Sequence, residues 1–172
     1  MKNMTQDFAQ AIHNLEESDA FKDFKKEHTS YHLVHGFLQL DKDGTPANPW
    51  QIGFYSNKKD NLGVFSTEPA KFLNFEDAFK EGGVISELVF DKEVFVSTTD
   101  AINQVKTLVA KDYPSEQTLS YILVLQVIDK KPVYNITAIT VAFSMITVRI
   151  HATTGEMLTC TKRSVLDLKK DD

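Results

Sequence analysis

Apolar positions along this chain recur with two different periods, and the change of period separates helices from strands. Phe8, Ile12 and Leu15 share one helical face, which predicts a helix over 5–17. Phe21 and Phe24 fall on roughly the opposite side of that cylinder, so the stripe does not run on. Ser18 and Asp19 are good N-cap residues, and a break near Ser18 with a second helix over 19–27 is expected. From Tyr31 to Asp41 the period drops to two, which predicts a strand. The loop DKDGTPANP follows, then strands over 50–56 and 62–67 closed by Pro69. Within 70–97, FLNFEDAF reads as a short helix broken by Gly82 and Gly83, and VISELVF and EVFVS read as extended stretches.

The helical period returns after Thr98 and Thr99. Ala101, Val105, Leu108 and Val109 form a stripe that Pro114 closes. Strands are expected over 121–129, 132–140 and 143–152, then a turn at Thr153–Glu156 with Gly155 at positive φ, then a further extended path. Each half of the chain thus reads as a helix followed by three strands. Trp50-Gln51-Ile52 in one second strand matches Tyr134-Asn135-Ile136 in the other. The expected fold is α+β: two helix-plus-three-strand (αβββ) repeats whose antiparallel sheets pack on their helices. The halves are 1–97, with an extra N-terminal helix, and 98–172, and together they make one compact unit.

Residues 98–158 resemble a PepSY-type domain. The matching residues are Asp100-Ala101-Ile102 opening the helix, Tyr134-Asn135-Ile136-Thr137 in a central strand, and the run from Val148 to Leu158 through Gly155. His151 stands where that family usually has an acidic residue. The resemblance implies a cystatin-like layering, no catalytic residues, and a role in binding or inhibiting other proteins, peptidases among them.

Composition narrows the function. The 172 residues are 42% hydrophobic and 25% charged, as in an ordinary globular protein. The net charge of -5 argues against a nucleic-acid partner. The charge is uneven: residues 1–97 carry ten basic and sixteen acidic side chains, residues 98–172 nine and eight. The sequence contains no apolar run of membrane-spanning length and no recognisable signal peptide, and with the single Cys160 this leads us to expect a cytoplasmic protein without a membrane partner.

Candidate chemistry is sparse. His28, His32 and His35 would share a face on a helix, as zinc ligands require, but on a strand His32 and His35 diverge, so no metal is expected. Asp41-Lys42-Asp43-Gly44 has its glycine fourth, where a calcium loop needs it sixth. Cys160 makes a nucleophilic pair only if His151 approaches it across the hairpin. No GxSxG, HExxH, GxGxxG or P-loop motif is present. The expectation is a non-enzymatic, cofactor-free module that binds a protein or peptide, with Trp50, Tyr55 and Tyr134 as candidate binding residues. The alternative is a small-molecule binder with a cavity between a curved sheet and its helix.

Overall fold

The computed structural model describes residues 4–78 and 85–165. Helices α1 (Phe8–Glu16) and α2 (Asp19–Glu27) precede four strands: β1 (His32–Asp41), β2 (Gln51–Ser56), β3 (Asn61–Thr67) and β4 (Ala70–Asp77). Helix α3 (Thr98–Asp112) precedes four more: β5 (Thr118–Ile128), β6 (Lys131–Thr140), β7 (Ser144–His151) and β8 (Met157–Ser164). All eight strands form a single antiparallel sheet in the order β4-β3-β2-β1-β5-β6-β7-β8.

This overturns the expected pair of αβββ repeats with separate sheets. Each half supplies four strands, and the first strands of the two halves, β1 and β5, pair along the middle with Leu38 opposite Leu123. The missed strand of the first half is β4. FLNFEDAF was expected to be helical, yet Phe72 pairs with Phe65 and Phe75 with Gly63, through a bulge. Pro69 does not terminate the chain's extended path. It sits in the two-residue turn between Thr67 and Ala70, which are themselves a cross-strand pair. The stretches 85–90 and 93–97, expected to be extended, contribute no strand; Leu88 instead donates its N–H to the Leu33 carbonyl (2.8 Å) and buries its side chain in the core. The Gly82-Gly83 break and the charged tail at 169–172 lie outside the described residues.

The helix boundaries follow the caps. Ser18 Oγ accepts the Phe21 N–H (3.2 Å) and donates to the Leu15 carbonyl (2.6 Å), so one side chain ends α1 and starts α2. Ser97 caps α3 by accepting the Asp100 N–H (3.0 Å). The three helices cover one sheet face. Phe8, Ala11, Ile12 and Leu15 of α1, Phe24 of α2, and Ala101, Ile102, Val105 and Val109 of α3 bury against Leu38, Leu40, Ile52, Phe65, Leu123, Leu125, Ile136 and Val148. Gly36 lets this happen at the centre: a Cβ there would collide with the Phe8 ring and lie 3.0 Å from Trp50.

Candidate binding face

Side chains alternate across a strand, so the positions interleaved with the helix-covered core project from the other side of the sheet. The register turns that rule into a map. One row crosses β1 and β5–β8 as Phe37, Val124, Asn135, Arg149 and Thr159. The next is Gln39, Ile122, Thr137, Thr147 and Thr161. A third is Asp41, Ser120, Ile139, Met145 and Arg163, and on the far side lie His35, Gln126, Val133 and His151. Most of these residues are half-buried by their neighbours on the inner strands and exposed on β8. Thr137 and Thr147 join their hydroxyls across β6 and β7 (3.0 Å).

This face is covered at one end only, among the described residues. Val34, Tyr55, Leu62 and Val64 make a second, smaller core there, with Ala78 and Ile85 packed on it. Over β5–β8 no described helix lies on this side: the buried apolar residues of α3 all belong to the core on the opposite face.

The candidate binding residues divide between the two faces, and all three are buried. Trp50 is fully enclosed on the helix side, its ring 4.9 Å from Phe8 and its Nε1 donating to the Gln6 carbonyl (3.1 Å). Tyr134 lies in the same core, where its hydroxyl donates to the Val96 carbonyl (2.7 Å) and burial pushes the phenol up to about 12. Tyr55 belongs to the second core, with its hydroxyl on Asp60 Oδ1 (2.5 Å). The Trp50-Gln51-Ile52 and Tyr134-Asn135-Ile136 triplets do share one alternation: the outer two residues enter the helix-side core and the amide projects from the open face.

The histidines are arranged differently from expectation. A bulge at Val34 lets His32 pair with Tyr55 and His35 with Gly53, two residues apart on β2, so both histidines lie on the same face. They still do not converge. His32 sits edge-on to the Tyr55 ring, while His35 lies over Gly53, where burial lowers its pKa to about 4. His28 caps α2 and stacks among Phe24, Tyr31 and Phe75. Among the described residues no group of three His, Cys, Asp or Glu is placed to hold a metal ion. Asp41 Oδ1 accepts the N–H groups of Asp43 (2.9 Å) and Thr45 (3.0 Å), an Asx-turn that closes the Asp41–Gly44 loop.

Cys160 and His151 do not meet. Cys160 pairs with Val148 on the helix side, next to the Tyr113 hydroxyl (4.0 Å), a contact that raises the Tyr113 pKa. His151 lies on the other face, where its Nδ1 accepts the Thr153 N–H (3.1 Å) and orders the β7–β8 turn. A separate groove of about 830 Å³ runs between α3 and that turn, lined by Val96, Asn103, Gln104, Leu108, Gly155 and Met157.

Sequence periodicity marks the open face only as the polar half of each alternation. Its extent depends on the pairing of β1 with β5, which no local pattern encodes. Among the described residues no helix is long and apolar enough to cross a membrane. No family model matches the chain, and no curated protein matches it. Among solved structures, the chain is similar to the crystal structure of a "putative lipoprotein" from Clostridium difficile 630: 14% identity over 84% of this chain and 91% of that one, with a TM-score of 0.48.

Proposed function

We propose that this protein is a non-enzymatic binding module that receives a protein or peptide on the open sheet face of β5–β8. One observation carries the reading: four strands present a continuous two-dimensional lattice of mostly polar and β-branched side chains, half-buried on the inner strands and exposed on β8, that no described helix covers. A sheet face of this kind offers rigid, evenly spaced contacts, because on β5, β6 and β7 each side chain is held by a backbone paired on both sides. The lone Cys160 carries no disulfide and favours a reducing, cytoplasmic setting.

The test is a selection of displayed random peptides on the intact chain, followed by mapping. Thr147→Trp puts a bulky ring in the middle of the open face, and Asn103→Trp puts one on the exposed side of α3. The proposal expects selected peptides to bind at least tenfold more weakly to Thr147→Trp and within twofold to Asn103→Trp. A selection whose binders all ignore Thr147→Trp overturns it.

A further inference from the structure

Phe143 breaks the rule of its own turn. Val141, Ala142 and Phe143 join β6 to β7, with the Phe143 N–H on the Thr140 carbonyl (3.0 Å) and its φ at +61°. A three-residue hairpin turn places its last residue in the left-handed region, where glycine is the usual occupant. Among the described residues the other positive-φ positions hold Gly44, Gly155, Asp60, Asp129 and Lys130, so Phe143 is the one large apolar side chain held there. The backbone alone fixes the conformation: besides closing the turn, Phe143 accepts the Val165 N–H on its carbonyl (2.7 Å). The ring is 64% exposed and returns little to the fold. A bulky residue kept in a strained, solvent-facing place points to work done outside the fold.

Apolar surface continues around it. Val141 and Leu119 are both exposed at this end of the sheet. The Val141 N–H donates to the Gln117 carbonyl (2.8 Å), and Leu119 is the unpaired residue of the bulge between Thr118 and Ser120. Ile139 and Met145, two residues to either side of Val141 and Phe143, are the last cross-strand pair of β6 and β7, and they belong to the open face. The apolar strip therefore starts on the open face and ends at the turn.

Resting on the binding reading above, we infer that the partner is a protein segment that crosses the β6–β7 end of the open face and seats a large apolar side chain against Phe143, which anchors it. Leu119, Val141 and Phe143 fall far short of the ~800 Å² that each partner gives to a stable interface, so the turn is one end of the larger contact on β5–β8 and not a separate site. Buried aromatic anchors carry a large share of the affinity of such contacts when their neighbours exclude water. Val141 and Met145 supply that apolar surround, on the turn and on β7.

Two other occupants suit the surface less well. An apolar turn can dip into a lipid surface, but such contacts are strengthened by cations on anionic headgroups. The turn itself carries no charge, and the cations of β8 opposite this end of β7 are engaged. Lys162 meets Glu116 at 2.7 Å, and Arg163 already interacts within the chain. Residues 165–172 add three Asp against two Lys, so the sequence after β8 brings no excess of cations. A second copy of the chain brings another net charge of -5, which opposes pairing of two copies.

The experiment uses peptides from the selection that are already shown to need the open face by their sensitivity to Thr147→Trp, so its failure is distinct from failure of the binding reading. Phe143→Gly should weaken their binding at least tenfold while melting no lower than the parent, a split that a structural role for the ring would not give. Phe143→Tyr, which keeps the ring, should bind within threefold of the parent. Serine scanning should find one large apolar residue in each peptide whose loss costs at least tenfold with the parent and less than twofold with Phe143→Gly. Val89→Ser removes an equally exposed apolar side chain beside Leu88, which bonds the start of β1, and should change binding less than twofold. Open-face peptides that bind Phe143→Gly within twofold of the parent overturn the inference. Self-association in sedimentation velocity that is lost in Phe143→Gly assigns the ring to a second copy and overturns it. Cosedimentation with vesicles of phosphatidylcholine and phosphatidylserine that is lost in Phe143→Gly assigns it to a membrane and overturns it as well.

Discussion

Gly155 and Phe143 occupy the same left-handed region of backbone space, at φ of +76° and +61°, with opposite consequences. Gly155 adopts it without steric cost, and its N–H closes the β7–β8 turn on the His151 carbonyl (2.9 Å). Phe143 adopts it in the β6–β7 turn with its side chain 64% exposed, so little burial offsets the strain. Gly155→Val should therefore lose about 1–3 kcal/mol and several degrees of melting temperature, whereas Phe143→Gly should gain up to about 1 kcal/mol. Thermal melts of the two variants beside the parent check both signs, and a Phe143→Gly protein that melts lower would show that the ring has a partner on the fold. His35 gives a pH dependence. Its folded pKa, about 4, lies below its unfolded value, so the unfolded chain takes up a proton first as pH falls. Stability from this residue is complete above about pH 6.5, drains away between there and about pH 4, and is flat below, at a loss of at most about 3 kcal/mol. Urea titrations at pH 7.5, 5.5 and 4.5 should show a shallower decline in His35→Gln than in the parent.

At the level of elements, the helices and most strands were readable because each carries its own signal. Phe8, Ile12 and Leu15 announce α1, Ser18 announces the break, and the alternation through Leu38 and Leu40 announces β1. The signals that misled are also specific. Phe72, Phe75 and Phe79 have helical spacing, but β4 is bulged between Phe72 and Phe75, and a bulge shifts the strand alternation by one position. The bulge at Val34 misplaced His32 and His35 for the same reason. Of the binding residues proposed from sequence, Trp50, Tyr55 and Tyr134 were chosen as large aromatics, and large aromatics are what a helix-on-sheet core consumes first. The open face offers no such beacon, since threonine, glutamine and isoleucine alternating with core residues look alike on any sheet. A sharper element-scale prediction follows from Ser18, which serves two helices at once. Ser18→Ala removes the acceptor for Phe21 N–H and the donor to Leu15, and should cost about 1–2 kcal/mol, visible as a lower urea midpoint with an unchanged slope.

For the whole molecule, the β1–β5 seam makes the two halves interdependent. Each half alone would expose the edge of its first strand, and pairing the two removes both edges. Unfolding of the halves should then be a single event. The protein has one tryptophan, Trp50, and it reports only on the first half, while far-UV circular dichroism reports on all eight strands. The two urea curves should superimpose; a fluorescence midpoint clearly separated from the dichroism midpoint would mean that the halves unfold on their own.

That seam also has a consequence for how copies of the chain treat one another during folding. The covalent link between the β1–β4 half and the β5–β8 half runs through residues 78–97, so the β5–β8 half of a second molecule offers β1 the same hydrogen bonds and the same Leu38–Leu123 contact. Which pairing forms is a contest between the effective concentration set by the connection and the actual concentration of chains. Refolding from urea at high protein concentration should trap a fraction of reciprocally exchanged dimers, resolved by size-exclusion chromatography and converting slowly to monomer on dilution, while refolding at low concentration should yield monomer alone.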